Sequence, residues 1–163
     1  MNFIKLRKNT LWIENISALT LARKYKTPFY CYSLSQLNSN FYSFKNAFRE
    51  TKPLICFSVK SNSNVSLLKE LKKIGSGADV VSAGELLKAT KAGIESKKIV
   101  FSGVGKTEEE IKLAIKKKVL LINIESKSEA SLINKISKKN SKVTSVGIRL
   151  NPNVTGKTNK KIS

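Results

Sequence analysis

Cysteine, arginine and long apolar runs are scarce in this 163-residue sequence, and histidine is absent. The two cysteines, Cys31 and Cys56, have neither metal-ligand spacing nor the pattern of a disulfide framework, so we expect two buried thiols. No run of about 18 apolar residues occurs, and the first residues lack the apolar segment of a signal peptide. These absences predict a cytoplasmic protein with no metal site and no membrane segment.

Lysine, in contrast, is abundant. The formal net charge is +20 and the pI is about 10.1, a balance that by itself favours nucleic-acid binding. Only 4 of the 31 basic residues are arginine, although arginine is better suited to bidentate phosphate and base contacts. The lysines are spread along predicted helices with no aromatic residues between them for base stacking. We therefore interpret the charge as a solvated surface and expect no nucleic-acid partner.

A regular alternation of apolar strands and amphipathic helices fills most of the chain. Strands are predicted to begin near residues 54, 78, 99, 120 and 145, with a helical pattern between successive strands. This alternation predicts parallel strands joined by right-handed helical crossovers. A flavodoxin-like open sheet and part of a βα barrel both satisfy it. The chain is shorter than the roughly 250 residues that a complete barrel typically needs.

The first residues differ from this repeat. Residues 3–13 carry two short apolar clusters that predict a hairpin, and Ser17 is a good N-cap for a helix that ends before Pro28. The aromatic residues 29–32 predict a strand, and residues 34–49 predict a helix with one apolar face.

Polar residues gather at the carboxyl ends of the predicted strands, where ligands bind in both candidate folds. These ends carry Lys60, Asp79 to Ser82, Ser102 and Gly103, Asn123 to Glu125, and Arg149 with Asn151. A lysine, acids, amides and an arginine on one rim predict a site for a charged small molecule.

Each candidate also has a purely structural interpretation. Lys60 is one of 27 lysines, but at the end of a buried strand desolvation would favour a nucleophilic amine. Asp79, the single aspartate, would otherwise be a turn or cap group. Glu85 has capping-box spacing from Ser82, and Arg149 would form a buried structural ion pair as readily as it would bind a ligand.

The segment Gly103-Val104-Gly105-Lys106-Thr107 resembles the end of a phosphate-binding P-loop. That motif needs a further glycine five residues before Gly105, and position 100 is valine. We therefore exclude a nucleoside triphosphatase of this type.

Six segments, taken in order, resemble the diaminopimelate decarboxylase family of pyridoxal-phosphate enzymes. They are Thr27 to Ser33, Ser58 to Asn64, Gly75 to Leu86, Phe101 to Thr107, Asn123 to Ser126 and Arg149 to Pro152. The resemblance implies an α/β fold, an incomplete (β/α)8 TIM-type barrel of about five of the eight βα units, after a short N-terminal β/α segment. Residues 1–27 would pack with the family's C-terminal β domain, and residues 28–163 would begin the cofactor-binding barrel.

The resemblance also implies roles for individual residues. Lys60 corresponds to the catalytic lysine that forms a Schiff base with pyridoxal 5'-phosphate, and Asp79, Glu85 and Arg149 match positions that line the cofactor pocket. The implied reaction converts meso-2,6-diaminopimelate to L-lysine and CO2 in a homodimeric enzyme. The family's ring-stacking histidine and glycine-rich phosphate loops have no counterpart here, and Asn159 stands where relatives often carry histidine.

An open five-strand barrel would expose an unpaired edge and an apolar face. We therefore expect an amino-terminal fragment that is inactive and prone to aggregate when alone. Rival functions are an ornithine- or arginine-type decarboxylase, alanine racemase, a non-catalytic carrier of pyridoxal phosphate and a basic nucleic-acid module. The segments from Gly75 to Leu86 and from Phe101 to Thr107 favour the diaminopimelate branch.

Overall fold

The computed structural model describes residues 3–150, which form a small antiparallel sheet followed by a parallel one. The first sheet has the order β1-β2-β3, with β1 at Ile4–Arg7, β2 at Thr10–Ile13 and β3 at Ile16–Ser17. The predicted hairpin is confirmed, whereas the two-residue β3 was not predicted. Helix α1, Ala18–Tyr25, follows directly, and the Ser17 hydroxyl caps it by accepting a hydrogen bond from the Thr20 amide at 3.1 Å.

Residues 29–32 form no regular strand, so that prediction is wrong. Tyr30 and Tyr32 are exposed and stack on each other, with ring centroids 6.4 Å apart. Aromatic residues favour strands where a sheet face buries them, and this segment pairs with neither described sheet. Cys31 is also exposed, so the expected burial of its thiol is wrong, whereas Cys56 is half-buried.

Helix α2, Leu34–Ala47, is linked to the first sheet at its amino end. The Glu14 carboxylate accepts hydrogen bonds from the Ser33 hydroxyl at 2.6 Å and the Ser35 amide at 2.9 Å. These bonds lower the pKa of Glu14. Leu37 packs against the core, but Phe44 is exposed, so the predicted apolar face of α2 is only partly buried.

The second sheet contains five parallel strands in the order β4-β5-β6-β7-β8. The strands are β4 (Cys56–Ser58), β5 (Gly77–Val80), β6 (Ile99–Phe101), β7 (Leu121–Ile124) and β8 (Val146–Ile148). The helices between them are α3 (Val65–Lys73), α4 (Ala83–Lys91), α5 (Glu108–Lys117) and α6 (Lys127–Lys139). All five predicted strands are confirmed, each starting within two residues of its predicted start.

The strand order distinguishes the two predicted architectures. Each strand of the second sheet pairs with the next one along the chain, with no reversal of order. A doubly wound sheet reverses direction at a switch point, whereas a βα barrel adds strands in sequence. The prediction of a partial barrel is therefore confirmed.

One face of the parallel sheet forms the core with the helices. Its fully buried residues alternate along the strands and are Ala78, Val80, Ile99, Phe101 and Ile122, joined by Val59 just after β4. Leu68, Leu86 and Ile111 cover them from α3, α4 and α5. Burial of each large apolar side chain contributes about 1.5–3 kcal/mol, so this layer supplies much of the stability.

The opposite face of the sheet carries mostly polar or small residues. The pleat alternates side chains between faces, which places Cys56, Ser58, Asp79, Asn123 and Gly147 together on this side. All five are partly exposed, and no described helix covers them. In a closed barrel this face is the interior.

The rim prediction at Asn151, the end of the resemblance segment at Pro152 and the noted position Asn159 lie outside the described residues. Within residues 3–150, no helix combines the length and hydropathy needed to cross a membrane.

Candidate active site

Lys60 lies in a single 3-10 turn, Val59–Ser61, immediately after β4. The Ser61 hydroxyl donates a hydrogen bond to the Ser58 carbonyl at 2.7 Å, which closes the turn. Val59 is fully buried and anchors the turn to the core. The side chain of Lys60, next in the chain, is exposed at the rim.

The Lys60 amine makes no hydrogen bond or ion pair with any other residue in the range 3–150. The expectation of a desolvated amine is therefore wrong for the described chain. Lys60 lies in the turn after β4 and not in the strand itself. The polar face of the sheet beside this turn is partly exposed. A primary amine at the end of a barrel strand is nevertheless available to react with a carbonyl group.

Local hydrogen bonds order the loop that follows Lys60. Asn62 Oδ1 accepts from the Asn64 amide at 3.0 Å, and Asn64 Oδ1 caps α3 by accepting from the Ser66 amide at 2.9 Å. From α4, Lys88 Nζ donates to Ser63 Oγ at 2.8 Å. The serines and asparagines after Lys60 thus fix the loop between β4 and α3.

Asp79 lies beside this turn on the neighbouring strand, in register with Ser58. Its Oδ1 accepts a short hydrogen bond from the Ser102 hydroxyl at the end of β6. Asn123 Nδ2, on β7, donates to the same Ser102 oxygen at 3.0 Å. Burial raises the pKa of the Cys56 thiol, and the Asp79 carboxylate raises it further. The open face thus carries an ordered carboxylate.

Gly147 on β8 leaves room for this network. A Cβ at position 147 would collide with Asn123 Oδ1. A glycine inside a strand often marks such a close approach. The position of the Asn123 side-chain amide therefore requires glycine at position 147.

Glu85 serves the start of α4. Its Oε2 accepts from the Val81 amide at 2.9 Å, while Ser82 Oγ accepts from the Glu85 amide at 3.2 Å. The structural interpretation of Glu85 as a capping residue is confirmed, although its carboxylate bonds one residue before the cap. A contact with a ligand stays a prediction.

Arg149 follows β8 at the far edge of the sheet from Lys60. Its Nη1 lies 3.4 Å from both carboxylate oxygens of Glu125, and the arginine side chain is 55% exposed. The structural alternative of a buried ion pair therefore does not apply to Arg149, and such exposed pairs contribute little to stability. Lys60 and Arg149 thus follow the first and the last strand of the sheet, and no hydrogen bond or ion pair within residues 3–150 joins them.

Lys106 is the residue whose role the sequence did not predict. Its side chain is 1% exposed, and Nζ donates to the Gly103 carbonyl at 2.7 Å, the Asn123 carbonyl at 2.6 Å and Glu129 Oε1 at 3.0 Å. The one signal was its place immediately before a helix N-cap, where the dipole disfavours a cation. A lysine there needs specific acceptors.

Glutamates in the first turns of α5 and α6 tie successive rim loops together. Glu110 accepts from the Thr107 amide at 3.0 Å and from the Ala83 amide, at the start of α4, at 2.9 Å. These two backbone bonds lower the pKa of Glu110. Glu129 accepts from the Glu125 amide at 2.7 Å and reaches back to Lys106. The loops after β5, β6 and β7 are therefore joined by hydrogen bonds, in which the Lys60 amine takes no part.

A sequential parallel βα sheet, with an accessible lysine after its first strand and an ordered carboxylate near the end of the second, is a partial βα barrel with polar groups at its ligand-binding rim. Residues 34–163 match the family model described as "Pyridoxal-dependent decarboxylase, pyridoxal binding domain". This match covers more than half of the chain, so the chain belongs to the pyridoxal-dependent decarboxylase family.

Curated relatives share its sequence over nearly its whole length. The diaminopimelate decarboxylase of Aquifex aeolicus is 42% identical over 156 residues, which are 96% of this chain and 37% of that protein. The diaminopimelate decarboxylase of Helicobacter pylori is 46% identical over 143 residues, 88% of this chain and 35% of that protein. The chain therefore spans little more than a third of the length of the relatives it matches.

Solved structures share the fold. The diaminopimelate decarboxylase of M. jannaschii, in co-complex with L-lysine, has a TM-score of 0.90 and 36% identity, covering 99% of this chain and 38% of that one. The lysine decarboxylase of Selenomonas ruminantium has a TM-score of 0.77 at 22% identity, covering 93% and 38%. This second likeness shows the fold alone.

The described residues fit pyridoxal phosphate, the cofactor of this family, in two respects. Lys60 has an unpaired amine for the aldehyde group, and the Asp79 carboxylate keeps one oxygen without a hydrogen-bond partner among residues 3–150. Both stand at the carboxyl ends of adjacent strands, where barrel enzymes bind ligands.

Proposed function

We propose that this chain supplies the lysine-bearing part of a diaminopimelate decarboxylase, which uses pyridoxal 5'-phosphate to convert meso-2,6-diaminopimelate to L-lysine and CO2. The observation that carries the proposal is the accessible Lys60 amine, held by a closed turn at the end of β4. Relatives of this name are 42% and 46% identical to the chain, and they support the choice of substrate.

Lys60 is the residue that attaches the cofactor covalently in this proposal. The cofactor, when bound, supplies an electron sink for the charge that the departing CO2 leaves behind. Asp79 would hold a donor group of the cofactor through its free oxygen. Glu85 and Arg149 would also line the cofactor pocket, with Arg149 supplying positive charge from the opposite edge of the sheet.

The remaining parts of the proposal concern the whole protein. We expect a cytoplasmic homodimer that binds neither nucleic acid nor membrane. Residues 1–27 would pack against a C-terminal β domain, and residues 28–163 would begin the barrel. The hydrogen bonds that the Glu14 carboxylate accepts from Ser33 and Ser35 support a fixed position of the first sheet against α2. Further strands would cover the polar face of the sheet and complete the site.

The test uses the protein expressed from its complete reading frame. Its substrate is meso-diaminopimelate, and ornithine and arginine are tried as alternative substrates. The wild type should release CO2 from diaminopimelate and form L-lysine. Lys60→Ala should abolish the reaction, because it removes the attachment point. Lys91→Ala, at the exposed end of α4, is the matched control and should leave the rate unchanged. Equal activity of Lys60→Ala and Lys91→Ala would exclude the assigned role of Lys60.

A further inference from the structure

The hydrogen bonds around Ser102 have a defined direction. Asn123 Nδ2 is an amide nitrogen that can donate but not accept a hydrogen bond, and it donates to Ser102 Oγ at 3.0 Å. With its oxygen accepting this bond, the Ser102 hydroxyl directs its own proton to Asp79 Oδ1. The three residues belong to adjacent strand ends of β5, β6 and β7. One ordered path thus runs across the open face to the single aspartate.

Asn123 is held from three sides. Its carbonyl accepts from the buried Lys106 ammonium at 2.6 Å, and its side-chain nitrogen is bound to Ser102. Its side-chain oxygen occupies the space that the missing Cβ of Gly147 leaves. The side-chain amide is thus held with Nδ2 at Ser102 and Oδ1 beside Gly147.

We propose that Asn123, acting through Ser102, is a positioning residue that fixes the Asp79 carboxylate in the cofactor pocket. The inference rests on the proposed function and gives specific roles to Ser102 and Asn123, which the sequence pattern placed at the rim without assigning either a role. With Oδ1 engaged by Ser102, Asp79 Oδ2 is directed to a donor group of the bound cofactor or substrate. A preordered carboxylate increases affinity because less side-chain freedom is lost on binding.

A double-mutant cycle on the protein expressed from its complete reading frame tests this inference. Pyridoxal phosphate is titrated into each variant, and its affinity is measured from the change in absorbance. Asn123→Ala should weaken the affinity about tenfold, which corresponds to loss of one or two hydrogen bonds. The same change combined with Asp79→Ala should cause little loss beyond that of Asp79→Ala alone. A purely structural role of Asn123 would weaken binding equally in both backgrounds.

Two further variants complete the design. Ser102→Ala removes a single oxygen from the path, so it repeats the cycle with a smaller change if Asn123→Ala does not fold. Asn140→Ala, at the end of α6, removes a 2.7 Å bond to the Ile136 carbonyl and should leave the affinity unchanged.

The outcomes separate the two proposals. A wild-type protein that binds no pyridoxal phosphate at Lys60 overturns the proposed function together with this inference. Two results overturn the positioning role alone, provided that the wild type binds pyridoxal phosphate normally. In the first, Asn123→Ala and Ser102→Ala bind it with wild-type affinity. In the second, each change weakens the affinity by the same factor in the wild type and in the Asp79→Ala background.

Discussion

Replacement of Lys106 with methionine should destabilise the protein strongly, because the ammonium is almost completely buried. Its side chain is 1% exposed and that of Glu129 is 9% exposed, with Nζ 3.0 Å from the carboxylate. Methionine fills the space but leaves the Glu129 charge with only the Glu125 amide, and two carbonyls lose their donor. Breaking one side of a buried pair costs about 3–5 kcal/mol, so we expect a loss of that size.

Urea denaturation followed by far-ultraviolet circular dichroism measures this loss. The double variant Lys106→Met with Glu129→Gln should recover about half of it, because the second change removes the uncompensated charge. Lys112→Met is the matched control on the helix that follows Lys106, where the ammonium is exposed and bound to Glu108 and Glu109. Equal losses for Lys106→Met and Lys112→Met would refute the reasoning.

Three other predictions concern packing and pH. Gly77→Ala should cost about 1–3 kcal/mol, because its Cβ would collide with the Lys98 carbonyl, whereas Gly84→Ala meets only a distant hydroxyl and should be neutral or stabilising. Leu68→Ala should cost about 2–5 kcal/mol, since Leu68 is fully buried. Glu110 has a lowered pKa in the folded protein, so its charged carboxylate stabilises the fold fully at pH values above its unfolded-state pKa. This contribution disappears as the pH falls through the folded-state pKa.

Thermal and urea midpoints check these predictions. An equal effect of Gly77→Ala and Gly84→Ala would contradict the collision at Gly77, and an unchanged midpoint for Leu68→Ala would contradict its place in the core. For Glu110, the midpoint difference between wild type and Glu110→Gln should be larger at about pH 7 than at about pH 3. A difference independent of pH would show that the charged carboxylate is not responsible.

The repeat of strands and helices could be predicted because it depends on local patterns. Apolar runs, helical spacing and N-caps such as Ser17, Thr107 and Ser126 are readable within a few residues. The prediction at residues 29–32 was wrong because aromatic residues predict a strand only where a partner strand and a buried face exist.

The candidate site was predictable only in outline. The carboxyl ends of the strands indicated the rim, and the family resemblance indicated Lys60. The path from Asn123 to Asp79 depends on the register of strands more than 20 residues apart, which no local pattern encodes. The burial of Lys106 depends on a carbonyl of β7 and a carboxylate of α6, which are distant in the sequence, so no local pattern predicted it.

The most direct test of the central claim is to locate the lysine that reacts with pyridoxal phosphate. The protein is incubated with the cofactor, reduced with borohydride, digested and mapped by mass spectrometry. The account predicts one dominant labelled peptide, the one containing Lys60, although the chain has 27 lysines. Label spread evenly over the exposed lysines, or a dominant label at another position, would contradict it.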